Sequence, residues 1–131
     1  MERRTINPWQ WSVEMGFQQA VEVSGERRTL HCSGQTSVDA DGNPIHAGDM
    51  VAQVNQALDN LEAVLAGADM TLRDVVKLNL YTTDVDAFMG ALMEVGERLA
   101  ASGMEQCGTL LGVVRLAYPE LMIEIEATAE A

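Results

Sequence analysis

The chain has 131 residues, 47% of them apolar, and a formal net charge of −12. That is the length of one domain with enough apolar mass for one core, which excludes a disordered segment. With 20 acidic residues against 8 basic ones, the field repels phosphate backbones; the pairs Arg3-Arg4 and Arg27-Arg28 are too few for a binding stripe, so nucleic acid is not an expected partner.

The opening residues, Met-Glu-Arg-Arg-Thr-Ile-Asn-Pro-Trp, lack the apolar stretch of an export signal. No apolar run approaches the roughly 18 residues of a membrane span. A cytoplasmic protein without membrane contact is expected, with Cys32 and Cys107 as free thiols rather than a disulfide. Residues 1–15 read as an N-terminal extension of a single domain spanning 1–131. Trp9 and Trp11 within it either cover a subunit edge or overhang a cleft.

Phe17 to Val23 reads as a first strand and Arg27 to Ser33 as a second, with Gly25-Glu26 as a hairpin turn between them. Leu30 and Cys32 face inward on the second strand, Thr29, His31 and Ser33 outward. Asp39-Ala-Asp-Gly-Asn43 is a turn of residues that tolerate positive φ. It has Met50, not Glu, at the twelfth position of a calcium loop, so calcium is not expected.

Val51, Val54, Leu58, Leu61 and Leu65 recur every three or four residues, one face of a helix that ends near Gly67. Thr71-Leu-Arg-Asp74 has capping-box spacing and opens a short turn. Val75 to Thr82 is a strand with Val76, Leu78 and Leu80 on one face and Val75, Lys77, Asn79 and Tyr81 on the other. Asp84 or Asp86 caps a second helix with Phe88, Leu92, Val95 and Leu99 on its buried stripe and Gly103 past its end.

Two strands close the chain. In the last, Leu121, Ile123, Ile125 and Ala127 alternate with Met122, Glu124 and Glu126. Carboxylates at such positions are either solvated or facing a site.

The order is β-β-α-β-α-β-β, an α+β fold with two helices on one face of a mixed sheet. The other face carries His31, Ser33, Lys77, Asn79, Glu124 and Glu126. It is too polar for a second core, yet mixed with apolar residues. This pattern predicts a homo-oligomer whose sheets pack together, with clefts where subunits meet.

Several segments, in this order and spacing, resemble the RidA/YjgF family: Phe17-Gln-Gln-Ala-Val21, Cys32-Ser-Gly-Gln35, Gln53 to Leu61, Asp74-Val-Val-Lys77, Tyr81-Thr-Thr-Asp84 followed by Phe88, and Ile123-Glu-Ile-Glu-Ala127. The similarity runs from about Gly16 to the C-terminus. It implies a chorismate-mutase-like fold, a homotrimer with three inter-subunit clefts, and hydrolysis of enamines and imines such as 2-aminoacrylate to a ketoacid and ammonia, with no metal or organic cofactor. It also implies site residues. The family's aromatic near the first strand falls on Phe17, its Ser-Gly on Ser33 and Gly34, and its strand Glu on Glu124.

The family's Arg, which clamps the substrate carboxylate in a Pro-Ala-Arg-Ser/Thr segment, has no counterpart. The matching residues are Gln106, Cys107, Gly108 and Thr109, with Gly108 at the Arg position; Arg115, seven residues on, matches a different family position. Leu92 replaces a helical Asn that lines the site in some members.

Imine hydrolysis needs a protonated nitrogen, a positioned water that can lose a proton, and a substrate held in register. Glu124 is the candidate proton shuttle, if burial raises its pKa; its alternative is a structural partner for a neighbouring subunit. Backbone groups around Cys107 and Gly108 could orient water. A buried carboxylate wants a bidentate guanidinium partner, and its loss typically costs roughly 3–5 kcal/mol, or about two to four decades. The chain is therefore not expected to be an efficient 2-iminopropanoate deaminase, and Gly108→Arg is expected to gain activity if the rest of the site is intact.

Cys107 is read as a packing residue in the cleft segment and Cys32 as core. His31 and His46 make no zinc pattern. Lys77, the only lysine, is read as solvated or ion-paired, with Glu124 or Glu126 as candidate partners. A non-catalytic small-molecule binder is the competing function. A ribonuclease ranks last, because the charge is wrong and no His pair is available for acid–base cleavage.

Overall fold

Two helices of 17 residues form where the three- and four-residue apolar spacing predicts them, α2 at Met50–Ala66 and α3 at Val85–Ala101. The computed structural model describes all 131 residues. The other elements are β1 (Glu2–Ile6), α1 (Trp11–Glu14), β2 (Ala20–Ser24), β3 (Thr29–His31), β4 (Gln35–Thr36), β5 (Val75–Thr82), β6 (Cys107–Gly112) and β7 (Ile123–Glu130). The fold is α+β with a mixed sheet.

Both long helices start on an aspartate in extended conformation. Asp49 Oδ1 accepts from the Ala52 amide at 3.0 Å and Asp84 Oδ1 from the Ala87 amide at 3.0 Å. Each meets an amide that the first helical turn leaves unpaired. Asp84, not Asp86, is therefore the cap. The Thr71–Asp74 capping box is present, on a 3-10 turn at Leu72–Asp74. Past α2 the chain reverses on Asp69, at φ 57, while Gly67 stays helical.

The main sheet has the order β3-β7-β5-β6, with β4 also on β7. β7 runs antiparallel to β3, β4 and β5; β5 and β6 run parallel, from Lys77 beside Cys107 to Thr82 beside Gly112. Leu78, Leu80, Ile123, Ile125, Ala127 and Ala129 lie on the helix side, where they pack with Val54, Leu58, Leu61, Leu65, Phe88 and Val95. Gln53 is fully buried among them. Its Nε2 donates to the carbonyls of Glu120 (2.8 Å) and His46 (3.2 Å), and its Oε1 accepts from the Met122 amide (2.8 Å). A buried amide so satisfied pins the entry of β7 to α2. On the outer edge Arg98 ties α3 to α2 through Asp59 (2.6 Å) and Glu62 (2.9 Å).

Three expectations need correction. The hairpin across Gly25-Glu26 is absent: β2 pairs with β1, from Ala20 beside Ile6 to Ser24 beside Glu2, and β3 pairs with β7 instead. The second strand is shorter than Arg27–Ser33 and resumes as β4 after a break at residues 32–34. Val75 and Val76 are both buried, because a bulge between Val75 and Lys77 disturbs the alternation.

Residues 1–15 supply β1 and α1. Arg3 fixes β1 to the domain by donating to the carbonyls of Arg73 (2.7 Å), Asp74 (3.2 Å) and Glu130 (3.0 Å). No helix is long and apolar enough to cross a membrane.

Candidate functional site

Alternation along three neighbouring strands builds the open face of the sheet. Glu124 and Glu126 from β7 stand beside Tyr81 and Asn79 of β5, respectively. Next in line are Cys107, Thr109 and Leu111 of the edge strand β6, at register positions 77, 79 and 81 of β5.

The two carboxylates sit two residues apart on one strand face, about 7 Å between Cα atoms, yet their surroundings differ. Glu126 Oε1 accepts from the Tyr81 hydroxyl at 2.6 Å and from Asn79 Nδ2 at 3.0 Å. These bonds, assisted by the charge of Lys77, hold its pKa below the usual carboxylate range in spite of some desolvation. Tyr81 is correspondingly raised, first by its bond to Glu126 and then by burial and the charges of both carboxylates. Glu124 is pushed up, first by burial and then by the charge of Glu126, with no hydrogen bond offsetting them. The environments thus push the two pKa values apart, one up and one down, an arrangement suited to proton transfer. Lys77 makes no ion pair with either carboxylate.

Gly34 lies directly on Glu124. A Cβ built at Gly34 would overlap the carboxyl group, 2.6 Å from its Cδ and 2.9 Å from its Cγ. The bare backbone of the break between β3 and β4 thus passes directly over the Glu124 carboxyl, and any larger residue at 34 would push that side chain aside. Gly34 and Glu124 are brought together, with Ser33 preceding Gly34 in the same break.

Thr109 keeps its side chain on the open face, at the register of Asn79, whereas Phe17 and Gly108 lie elsewhere in the chain. They line a cavity of about 320 Å³ on the helix-covered side, with Leu80, Leu92 and Leu99. The Phe17 amide donates to Ser12 O (2.9 Å), and its ring meets Trp11 edge-on, with centroids 5.7 Å apart. The following Gln18 amide donates to Gln106 O (2.8 Å), and Gln106 Nε2 returns to Gly16 O (3.2 Å), so residues 16–18 are laced to the start of β6. Cys107 is part-buried with Sγ donating to Val76 O at 3.4 Å, in keeping with a packing role. Cys32 packs against the core, and burial pushes its thiol pKa up.

The expected gain from Gly108→Arg does not survive the geometry. A Cβ at position 108 would overlap the carbonyl of Leu78, at 2.8 Å from its carbon and closer still to its oxygen. Backbone of a neighbouring strand cannot swing aside as a side chain can. Any residue larger than glycine requires β6 to move.

Sequence reasoning did not single out Tyr81 and Asn79 as partners of Glu126. The signal was present: alternation places all three on one face, and a tyrosine beside a strand carboxylate is a hydrogen-bond donor in reach. Leu92 and Leu99, read as core, are only part-buried and line the cavity.

The profile of the family described as Endoribonuclease L-PSP matches residues 10–131. The chain belongs to the RidA/YjgF family. It is 33% identical over 130 residues to the mitochondrial protein mmf2 of Schizosaccharomyces pombe, covering 98% of each chain. It is 33% identical over 79 residues to the mouse 2-iminobutanoate/2-iminopropanoate deaminase, covering 60% of this chain and 56% of that protein. Among solved structures, the Rid-family protein YyfB of Yersinia pestis superposes with a TM-score of 0.84 at 40% identity, covering 98% of both chains.

Proposed function

We propose that this Rid-family chain works as a homotrimer with small-molecule clefts between subunits, in which Glu124 shuttles protons for the hydrolysis of an imine or enamine C–N bond. The observation that carries this reading is the divided carboxylate pair: Glu124, without a hydrogen-bond partner and partly buried against Gly34, has its pKa raised, beside a Glu126 that Tyr81 and Asn79 hold by hydrogen bonds. In its neutral form Glu124 donates a proton to the imine nitrogen. As carboxylate it takes one from the water that adds to the carbon. Glu124 then returns that proton to the carbinolamine nitrogen, the C–N bond breaks as the hydroxyl gives up its proton, and ammonia and a carbonyl compound leave.

The trimer is favoured by what the single chain leaves unfinished. The open face carries Leu111 at 50% exposure, and its neighbour Val114 is fully exposed. β6 is an uncovered edge strand. Asn79 Oδ1 is buried without a donor, although buried acceptors are rarely left unmet. A second copy laid across this face would cover the apolar groups, offer a donor, and bring its own β6 edge, with Thr109 and the Phe17 strap, towards Glu124.

The substrate is not 2-iminopropanoate at high efficiency, since Gly108 offers no guanidinium and no other cation lines the cavity beside it. That neutral lining favours a second reading, a binder without turnover. The ribonuclease reading is disfavoured by the net charge of −12.

Ammonia release from a panel of imines and enamines, with wild type and Glu124→Gln, separates these readings. The expected result is saturable turnover that falls about 10²–10⁴-fold in the variant. Equal rates in both proteins would refute Glu124 as the shuttle; ligand-dependent stabilisation without turnover in either would establish the binder.

A further inference from the structure

We propose that the cavity under α3 is a binding pocket for a neutral, mainly apolar compound, such as an aryl or alkyl ketone. This deepens the reading above by naming a ligand class. It rests on that reading only for what happens after binding, because the cavity lies within one chain.

The lining decides the chemistry. Twelve of the sixteen lining residues are hydrophobic and none is charged. Gln106 brings a polar side chain from the β6 end, already engaged with Gly16 O, while Thr109, at the register of Asn79, turns its side chain to the open face. An anion placed here would lose its hydration and gain no cation, a cost of several kcal/mol per ion. An apolar body loses nothing by leaving water, so the lining favours a neutral guest over an ion.

The space is built rather than accidental. At position 108 the approach of Leu78 O forbids any side chain, so the wall beside β6 is bare backbone. A volume of about 320 Å³ lies at the lower end of small-molecule pockets and holds about ten non-hydrogen atoms, at roughly 30 Å³ each. The rim is adaptable: Met15 and Met89 are 64% and 44% exposed, and unbranched thioethers repack around varied shapes. Residues 15–17, with Gly16 at φ 90, complete one part of the lining, and Trp11 meets the Phe17 ring edge-on.

A matched pair of probes tests this. Acetophenone and benzoylformate share the aryl ketone and differ by a carboxylate. Thermal shift and methyl NMR of the full-length protein should show acetophenone binding at least about tenfold more tightly than benzoylformate. The methyl shifts should fall on Leu80, Leu92 and Ile125, which line the cavity, and spare Met122 on the opposite face of the chain entering β7. Leu92→Arg, at a part-exposed helix position, should reverse the preference; Leu92→Phe should weaken acetophenone by filling space.

Equal binding of the two probes, no acetophenone binding up to its solubility, or shifts confined to the open face would overturn the proposal, whatever the outcome for turnover. Conversely, acetophenone seated at Leu80 and Leu92 in a protein without turnover would uphold the pocket while Glu124 catalysis failed.

Discussion

The two faces of one sheet use the same strands for opposite ends. On the helix side Leu78, Ile123, Ile125, Ala127 and Ala129 are at most 8% exposed and belong to one continuous core. On the other side Asn79, Tyr81 and Glu126 are joined by hydrogen bonds, Glu124 stands beside them under Gly34, and all four are only part-buried. Which face a residue joins is decided by parity along the strand. The covered face stores the stability of the fold; the open face carries unmet polar groups and shifted pKa values that a core would not tolerate.

The sharpest way to break this comparison is a cavity on the covered side. Leu61 is fully buried against the sheet, and Leu61→Ala should destabilise by about 2–5 kcal/mol in denaturant unfolding. A loss under about 1 kcal/mol would mean that the helix layer is not where stability resides. On the open face the equivalent insult should act on assembly instead. Leu111→Glu should leave the circular dichroism of the folded chain intact while converting a three-chain species to monomer in light scattering. If the variant remains a trimer, subunits do not meet on this face.

Smaller effects sharpen the comparison within the open face. The raised pKa of Glu124 means that its protonated form is favoured by folding, so its contribution is full below the unfolded pKa of about 4.3 and is lost as pH rises through the folded value. Glu124→Gln should therefore gain a fraction of ~1 kcal/mol relative to wild type at pH 7, the partly exposed site being screened. That gain should vanish below about pH 4. The sign is opposite for Glu126, whose lowered pKa stabilises above the unfolded value and is lost in acid. Tyr81→Phe should move the Glu126 pKa upwards, read by carboxyl-carbon NMR titration; an unchanged titration would show that the 2.6 Å bond does not set it.

Much of this architecture is legible in the residues. The α2 stripe, the alternation of β5 and β7, the Asp84 cap, and the Thr71–Asp74 box all follow from local rules that the tertiary structure obeys. β1 and the true partner of β2 were not legible. Glu2-Arg-Arg-Thr-Ile6 has no apolar face, and its place depends on three distant carbonyls that receive Arg3. Gly25 makes its turn at φ 84, but a turn does not say whether the strands it joins pair with each other. The site was half legible. The resemblance pointed to Gly34 and Glu124, which meet, while the position of Phe17 and Gly108 on the other side of the sheet required the register of β6 against β5. The cavity was hidden because Leu92 and Leu99 keep helical spacing whether they face packed neighbours or empty space.

The most direct test of the central claim, an acid retained where the cationic anchor is lost, is the decay of 2-aminoacrylate generated in solution. The comparison is between this protein and a relative that carries Arg at the position of Gly108. The account predicts decay slower by about two to four decades than with that relative. Decay at the relative's rate would contradict it.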